Sequence, residues 1–521
     1  MGDQVKPAPL ANGPAMLAPG ARIAVIGAGS MGAGIAQLAA QSGHPVRIHD
    51  LQPGAAVRAI ERIAADLQQG VTRGRISGEE RQTVLERIEV AEAFEALAGS
   101  ALVVEAIAER LEAKRELFLR LEKLLGAGAI LASNTSSISI TAIAEALEHP
   151  ERVVGWHFFN PPTRLKLVEI IRGVATGNAA VQTLVELSRA WGKVAIEAPN
   201  APGFIVNRVA RPFYAESLRL LGERIAPLEA IDRLVREAGG FAMGPFELID
   251  LIGADVNLSV TESVFAATSF DGRYAPHLIQ QELVRSGRLG RKTGAGFYDY
   301  GPAARKPIAQ PVLASSVPAG IRCASDMGLL APLVTRLTAQ GVKVAVDAAV
   351  ERASFCIDAV QVALSDGRTA AEVASLSQRP TVLIDLALDY ALTPVLGAAC
   401  SWRAPGEPDP LAMLAGVLSC AGIDLIALDD VAGLVLTRLV SCLANEAADL
   451  HTWSGTPAAD IDLAMKLGTS YPVGPLAWAD ALGAGHLRSV LENLRHHYGD
   501  QRYRCSPALS RAAFQGSRFH V

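Results

Sequence analysis

The sequence predicts a chain that is α/β in its first part and largely all-α afterwards, with a parallel sheet near the N-terminus. Three observations support this fold class. A strand, a glycine-rich turn, a helix, a second strand and an acidic residue follow one another from residue 22 to residue 50. Short apolar strands then alternate with amphipathic helices, which is typical of a parallel sheet. Farther along, a helical segment repeats an earlier one at a fixed offset of 230 residues.

Size and composition indicate a multidomain globular protein. The chain has 521 residues, of which half are hydrophobic and 19% are charged, so it is too long for a single core. The net charge of −5 argues against nucleic acid as a main partner. Because the six cysteines are scattered without a C-x-x-C pair, we expect no disulfide framework, no metal site and a reducing, cytoplasmic location.

The N-terminal segment and the hydropathy pattern give no sign of export or membrane insertion. Residues 1–20 are rich in Pro, Ala and Gly and lack the basic start followed by a long apolar run that a signal peptide has. We therefore expect residues 1–20 to form a flexible arm. No uncharged apolar stretch reaches 18 residues, so we expect no membrane span.

The glycine-rich turn has the spacing of a dinucleotide-binding site. Gly27 permits a tight turn, Gly29 lets the backbone approach a pyrophosphate, and Gly32 lets the helix pack on the strand. The helix that begins at this turn offers free N–H groups to the phosphates. The strand at residues 46–49 ends at Asp50, which can accept hydrogen bonds from a ribose hydroxyl and would repel a 2′-phosphate.

This pattern predicts a Rossmann-type domain that binds NAD in preference to NADP. The alternative is an ordinary tight turn between a strand and a helix. The predicted cofactor-binding residues of this segment are Gly27, Gly29, Ser30, Met31, Gly32 and Asp50.

Further strands are predicted at residues 101–106, 129–132 and 152–155. Ligands of parallel sheets bind beyond the carboxyl ends of the strands. The polar residues that follow these three strands should therefore lie on one rim: Glu109 and Lys114, then residues 133–137 with Ser136, then His157.

His157 and Glu169 are the candidate acid–base pair. They stand twelve positions apart among aromatic and apolar residues, where a carboxylate can orient an imidazole and stabilise its charged form. Ser136 adds a hydroxyl on the predicted rim, and Asn207 adds an amide from the start of a helical region. The alternatives are a structural core pair, a helix N-cap at Ser136 and a helix cross-link at Asn207.

Together these side chains suit the oxidation of a secondary alcohol. Neutral His157 would take the hydroxyl proton while hydride leaves the same carbon for the nicotinamide, and Glu169 would stabilise the imidazolium. Ser136 and Asn207 would hold the substrate oxygen as it becomes a carbonyl.

Five motifs carry a resemblance to a known family: the glycine turn, Asn134-Thr135-Ser136-Ser137, His157-Phe158-Phe159-Asn160-Pro161, Lys166-Leu167-Val168-Glu169 and Gly203-Phe204-Ile205-Val206-Asn207-Arg208. Together they resemble the 3-hydroxyacyl-CoA dehydrogenases. The resemblance covers about residues 21 to 300. It implies an (S)-3-hydroxyacyl-CoA substrate and assigns the catalytic and substrate-binding roles to Ser136, His157, Glu169 and Asn207. It also implies that NAD contacts Glu109, Lys114, Ser136, Asn160 and Lys292.

Basic residues after the second predicted strand are candidates for the CoA phosphates. They are Arg58, which we take as a substrate-binding residue, and the cluster Arg73, Arg75 and Arg81. The alternative for all four is a solvated helix face.

The repeat places Gly203 opposite Gly433, Arg208 opposite Arg438 and Glu216 opposite Glu446. Thr437 stands where the first copy has Asn207, so we expect the second copy to be non-catalytic and the chain to have one active site. Between the copies, a segment resembling a degenerate Rossmann half has Cys323 and Ser325 in place of the first two glycines. We expect this unit to bind no nucleotide, because side chains there block the close approach of a pyrophosphate.

The predicted domain order is an N-terminal arm at 1–20, an NAD-binding Rossmann domain at 21–199, a helical domain at 200–301, a linker at 302–318, a degenerate Rossmann-like domain at 319–428 and a second helical domain at 429–521. The tandem form resembles longer family members associated with aromatic-acid degradation, which implies a 3-hydroxyadipyl-type thioester. The second helical copy predicts either an intramolecular pseudo-dimer or an ordinary homodimer. Two other functions stay open: a dehydrogenase of a free hydroxy or sugar acid, and a non-catalytic NAD-binding structural relative.

Overall fold

The computed structural model describes residues 17–314, 320–401 and 408–520. Most of the predicted N-terminal arm and the end of the predicted linker lie outside these ranges. The chain divides into two compact units, residues 1–205 and 206–521. None of the helices in the described ranges is both long and apolar enough to cross a membrane.

The first unit is built on an eight-stranded sheet with the order β3-β2-β1-β4-β5-β6-β7-β8. Its strands are β1 Ile23–Ile26, β2 Val46–His49, β3 Ile88–Val90, β4 Leu102–Glu105, β5 Ile130–Ser133, β6 Val153–Phe158, β7 Leu167–Arg172 and β8 Val194–Pro199. Its helices are α1 Ser30–Gln41, α2 Ala55–Thr72, α3 Gly78–Glu86, α4 Leu111–Leu125, α5 Ile140–Ala144 and α6 Asn178–Ala190.

The predicted Rossmann-type sheet is confirmed, with two corrections. The sheet is not wholly parallel, because β6 and β7 pair in antiparallel fashion. The last predicted strand, residues 152–155, is too short, since β6 continues to Phe158. Trp156 and Phe158 are buried there and keep the chain extended against β7. His157 therefore lies within a strand and does not follow one.

The second unit opens with a helical segment. Its helices are α7 Val206–Val209, α8 Arg211–Gly222, α9 Leu228–Arg233, α10 Pro245–Ile252, α11 Ala254–Ala267 and α12 Leu278–Arg285.

A second sheet of seven strands follows, with the order β10-β9-β11-β12-β13-β14-β15. Its elements are β9 Ile321–Cys323, α13 Ala331–Ala339, β10 Val344–Val346, β11 Ser354–Ile357, β12 Val360–Leu364, α14 Ala370–Ser377, β13 Thr381–Ile384, β14 Val395–Cys400, α15 Pro410–Ser419 and β15 Asp424–Ala427. The predicted strand–helix–strand half is present as β9, α13 and β10, with the two strands parallel.

The repeated helical segment ends the chain. Its helices are α16 Leu436–Ser454, α17 Ala458–Thr469, α18 Pro475–Leu482, α19 Ala484–Tyr498 and α20 Pro507–Gln515. Equivalent carboxylates have equivalent structural tasks in the two copies. Asp232 accepts hydrogen bonds from the first N–H groups of α10, and Asp462 does the same for α18. The two copies therefore share this contact at a helix N-terminus.

Candidate active site

The glycine turn has the geometry of a phosphate-binding loop. Gly27 has a φ of +99°, and a Cβ there would lie 2.4 Å from the carbonyl oxygen of Ala106. A Cβ on Gly32 would lie 1.8 Å from the carbonyl oxygen of Gly27, so α1 can approach β1 only without a side chain. A Cβ on Gly29 would meet no protein atom within 4 Å, which leaves open space at this position for a ligand. Ser30 and Met31 begin α1 beside this open space.

Asp50 lies directly after β2 and points back to the turn. One carboxylate oxygen accepts a hydrogen bond from the Ala28 N–H at 2.7 Å, and the other accepts from the Gln52 N–H at 2.8 Å. A cavity of about 460 Å³ opens beside Asp50 at the carboxyl ends of β1, β2 and β4, and residues such as Phe94, Ile107 and Leu117 give it apolar walls. An apolar wall next to a carboxylate and a glycine turn is typical of dinucleotide sites, so the predicted role of Asp50 stays a prediction with compatible surroundings.

Glu109 connects the ends of β4 and β5. Its carboxylate accepts hydrogen bonds from the Thr135 hydroxyl at 2.7 Å, the Ser136 N–H at 2.9 Å and the Ser137 hydroxyl at 3.1 Å. The Ser136 hydroxyl is 3.3 Å away from it. Burial alone would raise the pKa of Glu109, but the charge of Lys114 and these hydrogen bonds outweigh it and lower that pKa. Glu109 is therefore an anionic anchor for the loop that carries Ser136.

Lys114 is almost wholly buried beneath this loop. Its ammonium donates to Glu105 at 2.6 Å and lies 3.3 Å from Glu109. Glu105 also accepts from the Ser133 hydroxyl at 2.6 Å. Ser133 belongs to the segment expected on the rim, whereas no role was expected for Glu105, for which a charged residue at the end of an otherwise apolar strand was the available signal. The predicted contact of Lys114 with NAD stays a prediction, since its charge here serves two carboxylates.

His157 and Glu169 face each other across the antiparallel pair β6–β7. They are direct partners in the strand register, and His157 Nδ1 lies 2.7 Å from Glu169 Oε2. The twelve-residue spacing is thus the length of a strand–loop–strand hairpin that places both side chains on one face of the sheet. Glu169 is fully buried, and the His157 side chain is only 7% exposed.

The surroundings of His157 leave one nitrogen available. The imidazole packs against the rings of Phe159 and Phe204, with centroids 4.6 Å and 5.7 Å away. Within the described ranges, His157 Nδ1 is bound to Glu169, whereas Nε2 has no hydrogen-bond partner. A histidine held through Nδ1 by a buried carboxylate presents Nε2 as the atom that can accept a proton.

Glu169 has a second structural task that the sequence did not reveal. Its other oxygen accepts a hydrogen bond from the Ile205 N–H at 3.0 Å. The segment that leads into α7 is therefore bonded to the same carboxylate that orients His157. Directly after β13, the buried Asp385 accepts hydrogen bonds from the N–H groups of Val435, Leu436 and Thr437 at the start of the second copy. That carboxylate also accepts from the Leu386 N–H at 2.9 Å and from the Thr437 hydroxyl at 3.0 Å.

Other predicted site residues occupy separate positions. Asn160 is exposed in the turn after β6. Asn207 is half-buried in α7, and its carbonyl oxygen accepts from Arg211 Nε at 2.7 Å. Lys292 forms an ion pair with Asp255 at 2.6 Å. Asn207 and Lys292 belong to the second unit, and their roles toward substrate and NAD stay predictions.

The predicted phosphate-binding arginines lie on the α2–α3 segment. Arg58 is exposed on α2. Arg73 and Arg75 are exposed in the turn between the helices, where they line a cavity of about 210 Å³ together with Arg164. Arg81 is half-buried on α3. Arg73 and Arg75 are thus accessible to an anionic ligand, which is compatible with either a CoA phosphate or solvent.

Comparison with known families covers most of the chain. The model described as "3-hydroxyacyl-CoA dehydrogenase, NAD binding domain" matches residues 22–201, and the one described as "3-hydroxyacyl-CoA dehydrogenase, C-terminal domain" matches residues 203–300 and again 433–517. The "3-hydroxybutyryl-CoA dehydrogenase reduced Rossmann-fold domain" matches residues 362–431.

Individual relatives agree with these matches. The 3-hydroxyadipyl-CoA dehydrogenase of Escherichia coli K12 is 42% identical, over 95% of this chain and 98% of its own length. The human mitochondrial hydroxyacyl-coenzyme A dehydrogenase is 37% identical, over 53% of this chain and 90% of its own. A solved structure of 3-hydroxybutyryl-CoA dehydrogenase from Escherichia coli K12 superposes with a TM-score of 0.85 and 41% identity, covering 95% of this chain and 98% of that one. The chain therefore belongs to the 3-hydroxyacyl-CoA dehydrogenase family, as an NAD-dependent oxidoreductase.

Proposed function

We propose that the protein oxidises an (S)-3-hydroxyacyl-CoA to the 3-oxoacyl-CoA, with His157 as general base. The observation that carries this proposal is the buried His157–Glu169 pair, in which Glu169 binds Nδ1 and the part of the chain that the structure describes offers no partner to Nε2. A base must reach the proton that it abstracts, and Nε2 is the atom able to do so. When bound, NAD supplies the hydride acceptor.

The other site residues are proposed to position the substrate and the imidazole or to stabilise the charge that forms during the reaction. Glu169 keeps the proton of the neutral ring on Nδ1 and stabilises the imidazolium once Nε2 has taken the substrate proton. Ser136 and Asn207 donate hydrogen bonds to the substrate oxygen as it becomes a carbonyl. Glu109 holds the Ser136 loop through its bond to the Ser136 N–H. Phe159 and Phe204 keep water from the imidazole.

For cofactor binding, we propose contacts from the glycine turn, Asp50, Glu109, Asn160 and Lys292. Asp50 would exchange its bond to the Ala28 N–H for a ribose hydroxyl. Arg58, Arg73, Arg75 and Arg81 are proposed to bind the CoA phosphates. The exposure of Arg73 and Arg75 beside a cavity supports this role for two of them.

We further propose that a 3-hydroxyadipyl-type thioester, formed during aromatic-acid degradation, is the preferred substrate. Support comes from the relative of that name, which matches nearly the full length of this chain. The test compares kcat/KM for 3-hydroxybutyryl-CoA, 3-hydroxyadipyl-CoA and a long-chain 3-hydroxyacyl-CoA. A preference of about tenfold or more for the dicarboxylic thioester would support the proposal, because that difference equals about 1.4 kcal/mol of transition-state binding. Equal or lower values would contradict it.

A dehydrogenase of a free hydroxy or sugar acid is the rival function. It would turn over 3-hydroxybutyrate without CoA as well as the thioester. Turnover that depends on CoA, and that falls on replacement of Arg73, would exclude this rival. A non-catalytic relative would form no NADH from any of these compounds.

The second helical copy is proposed to act as a partner within the same chain. Arg208 of the first copy is bonded to Glu446 of the second at 2.7 Å, and Arg438 of the second is bonded to Glu216 of the first at 2.8 Å. Equivalent residues pair reciprocally, as across a two-fold interface. A fragment of residues 1–300 should therefore self-associate in sedimentation experiments. A stable, monomeric fragment would contradict this role.

A further inference from the structure

The short helix α7, which carries Asn207, rests on the second helical copy. α7 spans only Val206–Val209, too few residues to hold its own orientation. It contacts α16 and α17, both of which belong to the copy that lacks the site asparagine. The position of Asn207 therefore depends on residues more than 200 positions away in the chain.

Arg208, next to Asn207, makes the polar connection. Its guanidinium donates from Nε to Glu446 at 2.7 Å and from Nη2 to Asp449 at 3.4 Å. The same two carboxylates accept from Arg273 at 3.1 Å and 3.2 Å. The Tyr274 hydroxyl completes the cluster with a 2.5 Å bond to Glu446. All of these groups are buried or nearly so, which makes the geometry rigid.

Electrostatic attraction, and not only side-chain packing, stabilises this cluster of arginines and carboxylates. Burial would raise the pKa of Glu446, but the charges of Arg208 and Arg273 outweigh burial and lower that pKa. The guanidinium carbon of Arg208 lies over the indole ring of Trp453, 5.8 Å from the ring centroid. Removing the charge of Glu446 would leave two buried guanidinium groups with Asp449 as their nearest carboxylate.

The second helical copy contains an equivalent arginine–carboxylate arrangement, but no proposed substrate-binding residue stands next to its arginine. Arg438 donates to Glu216 at 2.8 Å and to Glu223 at 2.9 Å, and it follows Thr437. Thr437 is buried and bonded to Asp385, so it offers nothing to a substrate. The two arginines thus have the same structural task, but only Arg208 adjoins a proposed substrate-binding residue.

We propose that the second helical copy positions the active site: Glu446 fixes Arg208, and Arg208 fixes the helix that presents Asn207 to the substrate oxygen. This inference rests on the proposed role of Asn207. It assigns to the non-catalytic copy a task in turnover that a plain structural repeat would not have. Glu446 is a positioning residue, since it acts on the substrate only through α7.

The test compares Glu446→Gln with its repeat counterpart Glu216→Gln. Both variants remove one carboxylate charge from the same pair of copies, so both should lose thermal stability. Only Glu446→Gln should lower kcat and kcat/KM for acetoacetyl-CoA reduction, by about tenfold or more, because small misplacements of a substrate-orienting group are costly. NADH binding should be unchanged in both. Equal kinetic effects in the two variants, or none in either, would overturn the proposal.

A double-mutant cycle separates this proposal from the one on which it rests. If Asn207→Ala lowers kcat and Glu446→Gln adds little in that background, Glu446 acts through Asn207. Full additivity would overturn the inference while leaving the role of Asn207 intact. An unaffected Asn207→Ala variant would instead contradict the proposed function. Should Glu446→Gln fail to fold, Asp449→Asn and Glu223→Gln form the milder matched pair, with the same expected contrast.

Discussion

The variant Glu169→Gln tests the proposed acid–base pair with little change of shape. In the native protein, one carboxylate oxygen of Glu169 lies 2.7 Å from His157 Nδ1 and the other accepts from the Ile205 N–H at 3.0 Å. A glutamine has only one acceptor oxygen. Turning its NH₂ toward the Ile205 N–H would set donor against donor in a fully buried place, at a cost of about 1–3 kcal/mol.

The glutamine should therefore keep its oxygen on Ile205 and point its NH₂ at His157 Nδ1. The imidazole must then accept at Nδ1, and its proton moves to Nε2, the atom that we propose as the base. Loss of the charge-assisted hydrogen bond alone, about 1.5–3 kcal/mol, corresponds to roughly 10- to 150-fold in kcat. The wrong tautomer adds to this loss, as a comparable exchange costs about 10⁴-fold in serine proteases.

We expect Glu169→Gln to lower kcat by at least about 100-fold while NADH binding stays unchanged. The assay follows NADH formation from (S)-3-hydroxybutyryl-CoA, with an NADH fluorescence titration beside it. Glu197→Gln on the neighbouring strand β8 is the control, since that side chain is half exposed and pairs with Arg172. A kcat for Glu169→Gln within about threefold of the parent would show that the charge of Glu169 does not support His157 in turnover.

Three further predictions concern the cofactor site and its support. Gly29→Ala should keep its melting temperature but lose NAD affinity, since its Cβ meets no protein atom within 4 Å. Gly32→Ala should have a lower melting temperature, since its Cβ would lie 1.8 Å from a backbone oxygen. The reverse pattern in melting and titration curves would contradict this. Asp50→Ala should weaken NAD binding and raise the NADP/NAD ratio of kcat/KM; an unchanged ratio would remove the ribose role from Asp50. Lys193 donates to two carbonyl oxygens of the loop between β6 and β7, at 2.5 Å and 2.7 Å, and burial lowers its pKa to about 8 from the usual 10.5. Between these two pH values the native state binds fewer protons than the unfolded state, so stability rises with pH. The parent should therefore gain stability relative to Lys193→Met as the pH rises from about 8 to 10.5. A difference in melting temperature between the two proteins that stays constant across that range would contradict the lowered pKa of Lys193.

The sequence predicted the Rossmann-type sheet because its signals are local. The glycine spacing indicates the turn and the start of the helix, and Asp50 indicates the ribose acceptor, all within 30 residues of one another. Likewise, Thr437 at the position of Asn207 is visible by direct comparison of the two copies.

The features that could not be predicted from the sequence depend on strand register and on contacts between residues that are far apart in the chain. The antiparallel pairing of β6 and β7 sets His157 opposite Glu169, and no residue type marks the direction of a strand pair. The burial of Lys114 between Glu105 and Glu109 depends on how α4 packs on the sheet. The bond between Arg208 and Glu446 joins residues 238 positions apart, which no local pattern reports.

The central claim is a single acid–base site per chain, with His157 as its base. Its most direct test is NADH formation from (S)-3-hydroxybutyryl-CoA by His157→Ala, combined with an NAD titration of the same variant. We expect a turnover at least about 100-fold below the parent, because the general base is lost, with one NAD bound per chain in both proteins. Unchanged turnover by the variant, or a second NAD site on the chain, would contradict it.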